Sequence, residues 1–388
     1  MLHLSAACRP WAVVLGISAV LGLAAAPAAR AQTSAPKYSN EFLNLGAGAR
    51  SLGMGKTQVS LANDATAGYW NPAGLTNIAA KYDGVLMHSE LFSGVVKNDY
   101  AAFAMPLDEK SAIGVTLLRS GVDNIADTRA LINEYGNIQY DKITYFSVAD
   151  YALLLSYARK LGPAGLSVGG SGKLIYRNVG TFANAYGFGI DLGLQYNHSG
   201  WRLGLMARDI TTTFNAWSID ADKFKANTIP GEAIPTNSTE ISLPRLVLGA
   251  GRQFTLPGQF GALVAADLEM TTDGKRNTVI SARPVSIDPR LGVEINYRKL
   301  AFLRGGVGNI QQLTTFAEGS TAANPLTKSE WKGQYSLGAG VAINGLRVDL
   351  ALSRLAVEKL GNSSQTNSLI VSLGYGLGSR SGGLPSIN

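Results

Sequence analysis

The side chains with the clearest capacity for chemistry in this 388-residue chain are two histidines, two glycine-rich runs and one cysteine. His88 shares a strand parity with Glu90, a pair that a hydrolase would join to a serine as base and acid. No nucleophile is placed beside it by the sequence. His198 falls in a tight turn and reads as a solvated turn residue. The GAGARS and GMG runs near residues 46 to 55 lack the third glycine of a dinucleotide loop and its strand-loop-helix surroundings. GGSGK at 169 to 173 lacks the first glycine and the trailing hydroxyl residue of a phosphate loop and lies inside a strand pattern. Glycines there fit close packing or a bulge instead. Cys8 precedes the apolar core of a leader and is lost with it, which leaves no thiol nucleophile, disulfide or thiolate metal site. The sequence assigns no catalytic, cofactor or metal residues, so the chain reads as a non-enzyme.

Residues 1–31 have the form of a cleaved signal peptide: Arg9, an apolar core from Trp11 to Ala26, then Ala29-Arg30-Ala31 before Gln32. Beyond Gln32 no uninterrupted apolar run reaches the length of a membrane helix. Charged residues make up only 16% of the chain, fewer than the roughly 25% that coat a soluble domain. The net charge of +7 is spread along the chain, so no basic stripe for nucleic acid forms.

The elements that would carry any function have a period of two. From Ala185 to Tyr196 one parity holds Tyr186, Phe188, Ile190, Leu192, Leu194 and Tyr196. The other holds Gly187, Gly189, Asp191, Gly193 and Gln195. An apolar row with aromatic ends matches a bilayer-spanning strand, with the small and polar row facing a crowded lumen. The same pattern recurs in Trp201 to Arg208, Leu291 to Arg298 and Leu346 to Ser353. The inner rows would carry Lys173, Arg177, Asp191, Arg202, Asp267, Glu269, Glu294, Arg298, Arg347 and Asp349, a mixture of signs able to pair across the interior.

About fourteen such segments are expected, near 83–92, 97–106, 110–120, 148–159, 164–177, 185–196, 200–210, 242–254, 258–271, 289–298, 300–308, 331–343, 345–356 and 367–377. Short turns such as Asn344-Gly345, a type I′ signal, alternate with long loops at 121–147, 211–241, 272–288 and 309–330. That alternation predicts an all-β fold: a transmembrane antiparallel β-barrel of the outer membrane over residues 81–377, with a C-terminal tail at 378–388. Both termini are then periplasmic. Trp217, Phe214 and Phe316 are expected in the loops, as anchors or as a partner surface.

Residues 32–80 break the pattern, being rich in glycine, alanine and turn residues, and a segment so placed can fold back into the lumen as a hatch. The run GARSLGMG…LANDATAGYWNPAGL resembles the N-terminal signature of the FadL-like superfamily, and more closely its PorV/PorQ branch, associated with type IX secretion. The resemblance implies a fourteen-stranded barrel and puts Asn71, Pro72 and Ala73 in the plug. It also implies a function in protein secretion, with translocon components or secreted cargo as partners beside outer membrane lipid. The alternative within the superfamily is FadL-like passage of hydrophobic small molecules. A greasy conduit needs an apolar pocket inside the barrel, whereas a secretion partner can keep its lumen filled and charged; the inner rows favour the second.

Overall fold

The computed structural model describes residues 39–133, 135–162, 165–225, 236–316, 327–357 and 364–379. The signal-peptide segment and the end of the C-terminal tail lie outside the described residues.

The strands, in chain order, are β1 (Ala80–Leu91), β2 (Val96–Pro106), β3 (Ser111–Asp127), β4 (Thr144–Leu161), β5 (Leu166–Val179), β6 (Ala183–His198), β7 (Trp201–Arg208), β8 (Thr213–Ile219), β9 (Ser238–Ser242), β10 (Arg245–Leu256), β11 (Phe260–Thr271), β12 (Ile280–Ser281), β13 (Ser286–Tyr297), β14 (Ala301–Phe316), β15 (Thr327–Ile343), β16 (Leu346–Val357) and β17 (Ser364–Ser379). Neighbours pair antiparallel, and β1 pairs β17, which closes the sheet. β7 and β8 are one wall strand interrupted at Asp209–Thr212, since both pair β6. β9 and β10 likewise form one strand, pairing β8 and β7 in turn. The two-residue β12 folds onto β13 inside a loop. The wall is therefore a closed antiparallel barrel of fourteen strands, the number read from periodicity.

Parity sets which face is wet. Tyr186, Phe188, Leu192 and Leu194 point outward and are 37–66% exposed, while Asp191 and Gln195 are buried inside. Leu303 and Leu337 are 67% and 69% exposed on the same outer face. An outer surface so rich in leucine, valine and tyrosine has no stable contact with water, and a bilayer solvates it. Among the described residues no helix is long and apolar enough to cross a membrane.

The barrel has a turn end and a loop end. At the turn end Asn344 and Gly345 both take positive φ, 50° and 87°, as the type I′ signal predicted. At the loop end the strands run further than the periodicity indicated: β3 extends to Asp127, β4 starts at Thr144, β14 reaches Phe316, and the 211–241 loop holds β8 and β9. Past the apolar belt an outward residue need not be apolar, so the alternation fades although the hydrogen-bond ladder continues. Phe214 and Trp217 accordingly lie on β8 rather than in an irregular loop. Trp217 donates through Nε1 to Glu240 at 2.9 Å.

Residues 39–79 lie inside this wall. They form short turns of helix at Glu41–Asn44, α1 (Ala49–Gly53), α2 (Ala67–Trp70) and Pro72–Asn77. The main apolar core is where this segment meets the inner rows of β1 to β5, with Leu52, Tyr69, Trp70 and Leu75 against Met87, Tyr100, Leu118 and Ile175. Ala80 opens β1.

The plugged lumen as candidate functional site

The sequence-predicted triplet lies against the inner face of β5 and β6. Asn71, Pro72 and Ala73 are buried, and Asn71 caps the short helix that follows by accepting a hydrogen bond from Ala73 N at 3.2 Å. Its Nδ2 donates to the carbonyls of Val59 at 2.9 Å and Leu194 at 3.0 Å. One amide thus ties the segment to itself and to β6. The approach is close because the wall is glycine where they touch. A Cβ on Gly193 would lie 2.0 Å from Asn71 Oδ1, and one on Gly169 2.5 Å from Ala73 N. The inward glycines that the sequence presents as a small row are the seats of the inner segment.

Most of the predicted lumen charges meet partners. Asp267 is fully buried and its Oδ2 accepts backbone N–H bonds from Gln58 at 2.9 Å and Val59 at 3.1 Å. Glu294 accepts both arms of Arg50, at 2.9 and 3.1 Å, and also Arg304 Nε at 2.7 Å. Arg304 then donates to Asp349 at 2.6 Å, carrying the network across β13, β14 and β16. Lys173 bridges Asp191 at 2.7 Å and Asp209 at 2.5 Å, at the break between β7 and β8. Arg177 pairs Asp150 and Glu240, Arg347 pairs Asp83, and Glu269 pairs Arg290 and Arg245. Two members stand apart: Arg202 donates to Gln253 near the turn end, and Arg298 lies in the turn after β13, exposed and bonded to Gln259. A strand ending one residue earlier accounts for Arg298.

Sequence reasoning missed Arg50, Lys56, Asp83, Asp209, Arg245, Arg290 and Arg304. Arg304 carried a signal, because it lies directly across from Glu294 in register. Arg208, in parity with Arg202, donates to the carbonyls of Leu43 and Tyr69 and covers the rings of Tyr69 and Trp70 at 4.8 and 5.7 Å.

Above the inner segment, toward the loop end, a polar vestibule of about 490 Å3 opens between Glu41, Lys56, Arg245, Glu269, Arg276 and Arg290. Lys56 forms part of its floor. Its ammonium donates to the carbonyl of Asn44 at 2.9 Å, and burial, reinforced by the nearby Arg290 guanidinium, pulls its pKa down to about 8. A second hollow, apolar and about 860 Å3, lies among outward-facing Leu86, Leu117, Tyr151, Leu174 and Tyr186. It is on the bilayer face, not in the lumen. His88 faces outward beside it, held 2.7 Å from Asp99, with no serine among its hydrogen-bond partners. His198 ends β6 at the turn end, and GGSGK runs through the middle of β5.

No family model matches this sequence, and no curated protein matches it. Solved structures do. The Pseudomonas putida toluene transporter TodX is similar with a TM-score of 0.54 at 17% identity, over 85% of this chain and 97% of TodX. The Ralstonia pickettii toluene transporter TbuX gives 0.55 at 15%, over 86% and 98%. The monoaromatic hydrocarbon channel CymD gives 0.52 at 14%, over 87% and 99%. At these identities what is shared is the fold: the closed barrel of these channels over nearly their whole length.

Proposed function

We propose that the protein is an outer-membrane channel of FadL-like type, with long loops outside, β1 starting and β17 ending on the periplasmic side, and residues 39–79 acting as a hatch. The observation that carries this reading is a vestibule open toward the loops that ends on a separately seated segment, within a barrel built like TodX and TbuX. A wall that only had to be sealed could do so with its own side chains. A plug fastened in part by hydrogen bonds and ion pairs to the wall is one that can be unfastened. The substrate class is hydrophobic or amphipathic small molecules, following what those neighbours carry. The test is uptake: a strain lacking the gene should take up toluene-like aromatics and medium-chain fatty acids more slowly, and the purified barrel in liposomes should admit them. Unchanged uptake in the deletion strain, with no permeation through the purified barrel, would reject the reading.

A second reading has its own support. The lumen at hatch level is filled and charged from Lys173 round to Asp349, and the apolar hollow lies outside it, an arrangement better suited to a binding partner than to a greasy conduit. The GARSLGMG…NPAGL resemblance to PorV/PorQ supports a role in type IX secretion, with translocon parts or cargo on its loops. Affinity capture from the native outer membrane decides: recovered translocon proteins and an altered secreted profile on deletion support it, and their absence removes it.

A further inference from the structure

Cations far apart in the sequence meet at the turn end of the wall. The turns joining β6 to β7, β10 to β11 and β13 to β14 lie side by side, because β7 pairs β10 and β11 pairs β13. Backbone bonds link them, from Gln253 N to the Gly200 carbonyl at 3.1 Å and from Arg298 N to that of Gln259 at 2.9 Å. Residues 195–204, 250–263 and 295–302, which build these turns and the strand ends beside them, hold Arg202, Arg252, Arg298 and Lys299 and no aspartate or glutamate. The β2–β3 turn, by comparison, sets Asp108 and Glu109 beside Lys110.

These four charges are not neutralised within the protein. Arg202 donates to the Gln253 side chain at 2.8 Å and Arg298 to that of Gln259, both neutral acceptors. Among the described residues the side chains of Arg252 and Lys299 have neither a hydrogen bond nor an ion pair. In the lumen, by contrast, Arg50, Arg290 and Arg304 each meet a carboxylate. Arg252, exposed on the outward parity, lies directly across from Trp201, with its guanidinium 4.6 Å from the Trp201 ring and 5.6 Å from that of Phe254. Arg298 covers Tyr297 at 5.2 Å, and Tyr297 packs 5.0 Å from Phe260. Aromatic residues at the end of an apolar belt sit among lipid headgroups. The stacked Arg252 is therefore held at that level with its N–H donors unspent.

The geometry points to a patch that recruits anionic phospholipid, with phosphate oxygens on Arg252, Arg298 and Lys299 and acyl chains along the outward Leu203, Leu248 and Ile295. Charge complementarity selects this occupant. Four cations without a carboxylate offer nothing to the ammonium of a zwitterionic headgroup, whereas a phosphodiester carrying net negative charge is satisfied whole. A water-soluble acidic partner would leave the outward, ring-flanked Arg252 unused. With the long loops outside, the leaflet concerned is the periplasmic one. The inference rests on the outer-membrane orientation proposed above but not on transport, so its failure leaves the uptake result untouched.

The test is native mass spectrometry of the full barrel released from micelles holding equal amounts of phosphatidylglycerol and phosphatidylethanolamine with the same acyl chains. The wild type should retain phosphatidylglycerol in preference. Arg252→Gln and Lys299→Gln should each lower the ratio of the two retained lipids by about fivefold, the worth of one cation at an anionic lipid surface. Arg119→Gln, at the loop end and paired with Asp99, should leave the ratio unchanged. Raising ammonium acetate from about 0.1 M to about 0.5 M should lower it in the wild type, since exposed charges are screened, and this arm carries the test if the variants do not fold. Equal retention of the two lipids by the wild type, a ratio indifferent to salt, a ratio unmoved in both patch variants, or an equal fall in Arg119→Gln would overturn the patch.

Discussion

The carboxylate of Asp267, on β11, accepts the backbone N–H of Gln58 at 2.9 Å and shares the same oxygen with Val59. A wall side chain thereby holds the main chain of the inner segment, and no side chain of that segment is needed for the bond. Each hydrogen bond to a charged acceptor is worth about 1.5–3 kcal/mol. Asp267→Leu should therefore loosen the segment while β10, β11 and β13 keep their ladders. Planar-bilayer recordings should find a larger leak than in the wild type, with heat-modifiable gel migration still reporting a folded barrel. Wild-type conductance in that variant would mean that Asp267 does not hold the hatch shut.

Gly193 tests the seat from the other side. A Cβ there would meet Asn71 Oδ1 at 2.0 Å and Pro72 Cδ at 3.0 Å, whereas one on Gly172 of β5 meets nothing within 4 Å. Gly193→Ala should cost about 1–3 kcal/mol through overpacking. Gly172→Ala should be neutral or slightly stabilising, since alanine gives up less backbone entropy than glycine in a strand. Melts of the two variants in one detergent should separate them clearly; equal melting temperatures would show that the seat yields without cost.

Leu192 lies on the outer face between the Tyr186 and Tyr196 levels and is 44% exposed. Arginine near the bilayer midplane costs about 2–4 kcal/mol on a barrel wall. Leu192→Arg should impair assembly into membranes and shift the population toward the unfolded band on unboiled gels. Normal assembly would reverse the inside and outside assigned to β6.

What could be read from the chain divides along the same wall. Strand identity and facing were legible because a bilayer imposes one chemistry on every outward residue of the belt, as on Tyr186 through Leu194. The burial of Asn71-Pro72-Ala73 was legible only through resemblance. Its physical partner, the inward glycine row at Gly169 and Gly193, was present as a pattern, but pattern alone does not say what presses on it. Pairing was less legible still. Glu294 and Arg304 face each other directly, yet Arg50 reaches Glu294 from 244 positions away, and no local periodicity encodes such a contact. The break at Asp209–Thr212 escaped for a related reason. Asp209 and Thr212 adopt positive φ, 54° and 62°, without a glycine to announce it, and Asp209 N is held instead by Asp191 at 2.7 Å.

Lys56 supplies a pH signature for the vestibule floor. Its pKa of about 8 in the folded protein lies below the roughly 10.4 of an unfolded lysine. Between those values the unfolded chain holds a proton that the folded one has released, so stability rises with pH across that window. Below about pH 8 both states are charged and the fold bears the full cost of burying the ammonium. The wild type should therefore gain melting temperature relative to Lys56→Met from pH 8 to pH 10, whatever other groups titrate in common. At pH 7 the methionine variant should be the more stable of the two, because it keeps the aliphatic stem and sheds the charge. A constant difference between the two proteins over that range would place the Lys56 ammonium in free contact with water, and the vestibule floor would then be wetter than its packing implies.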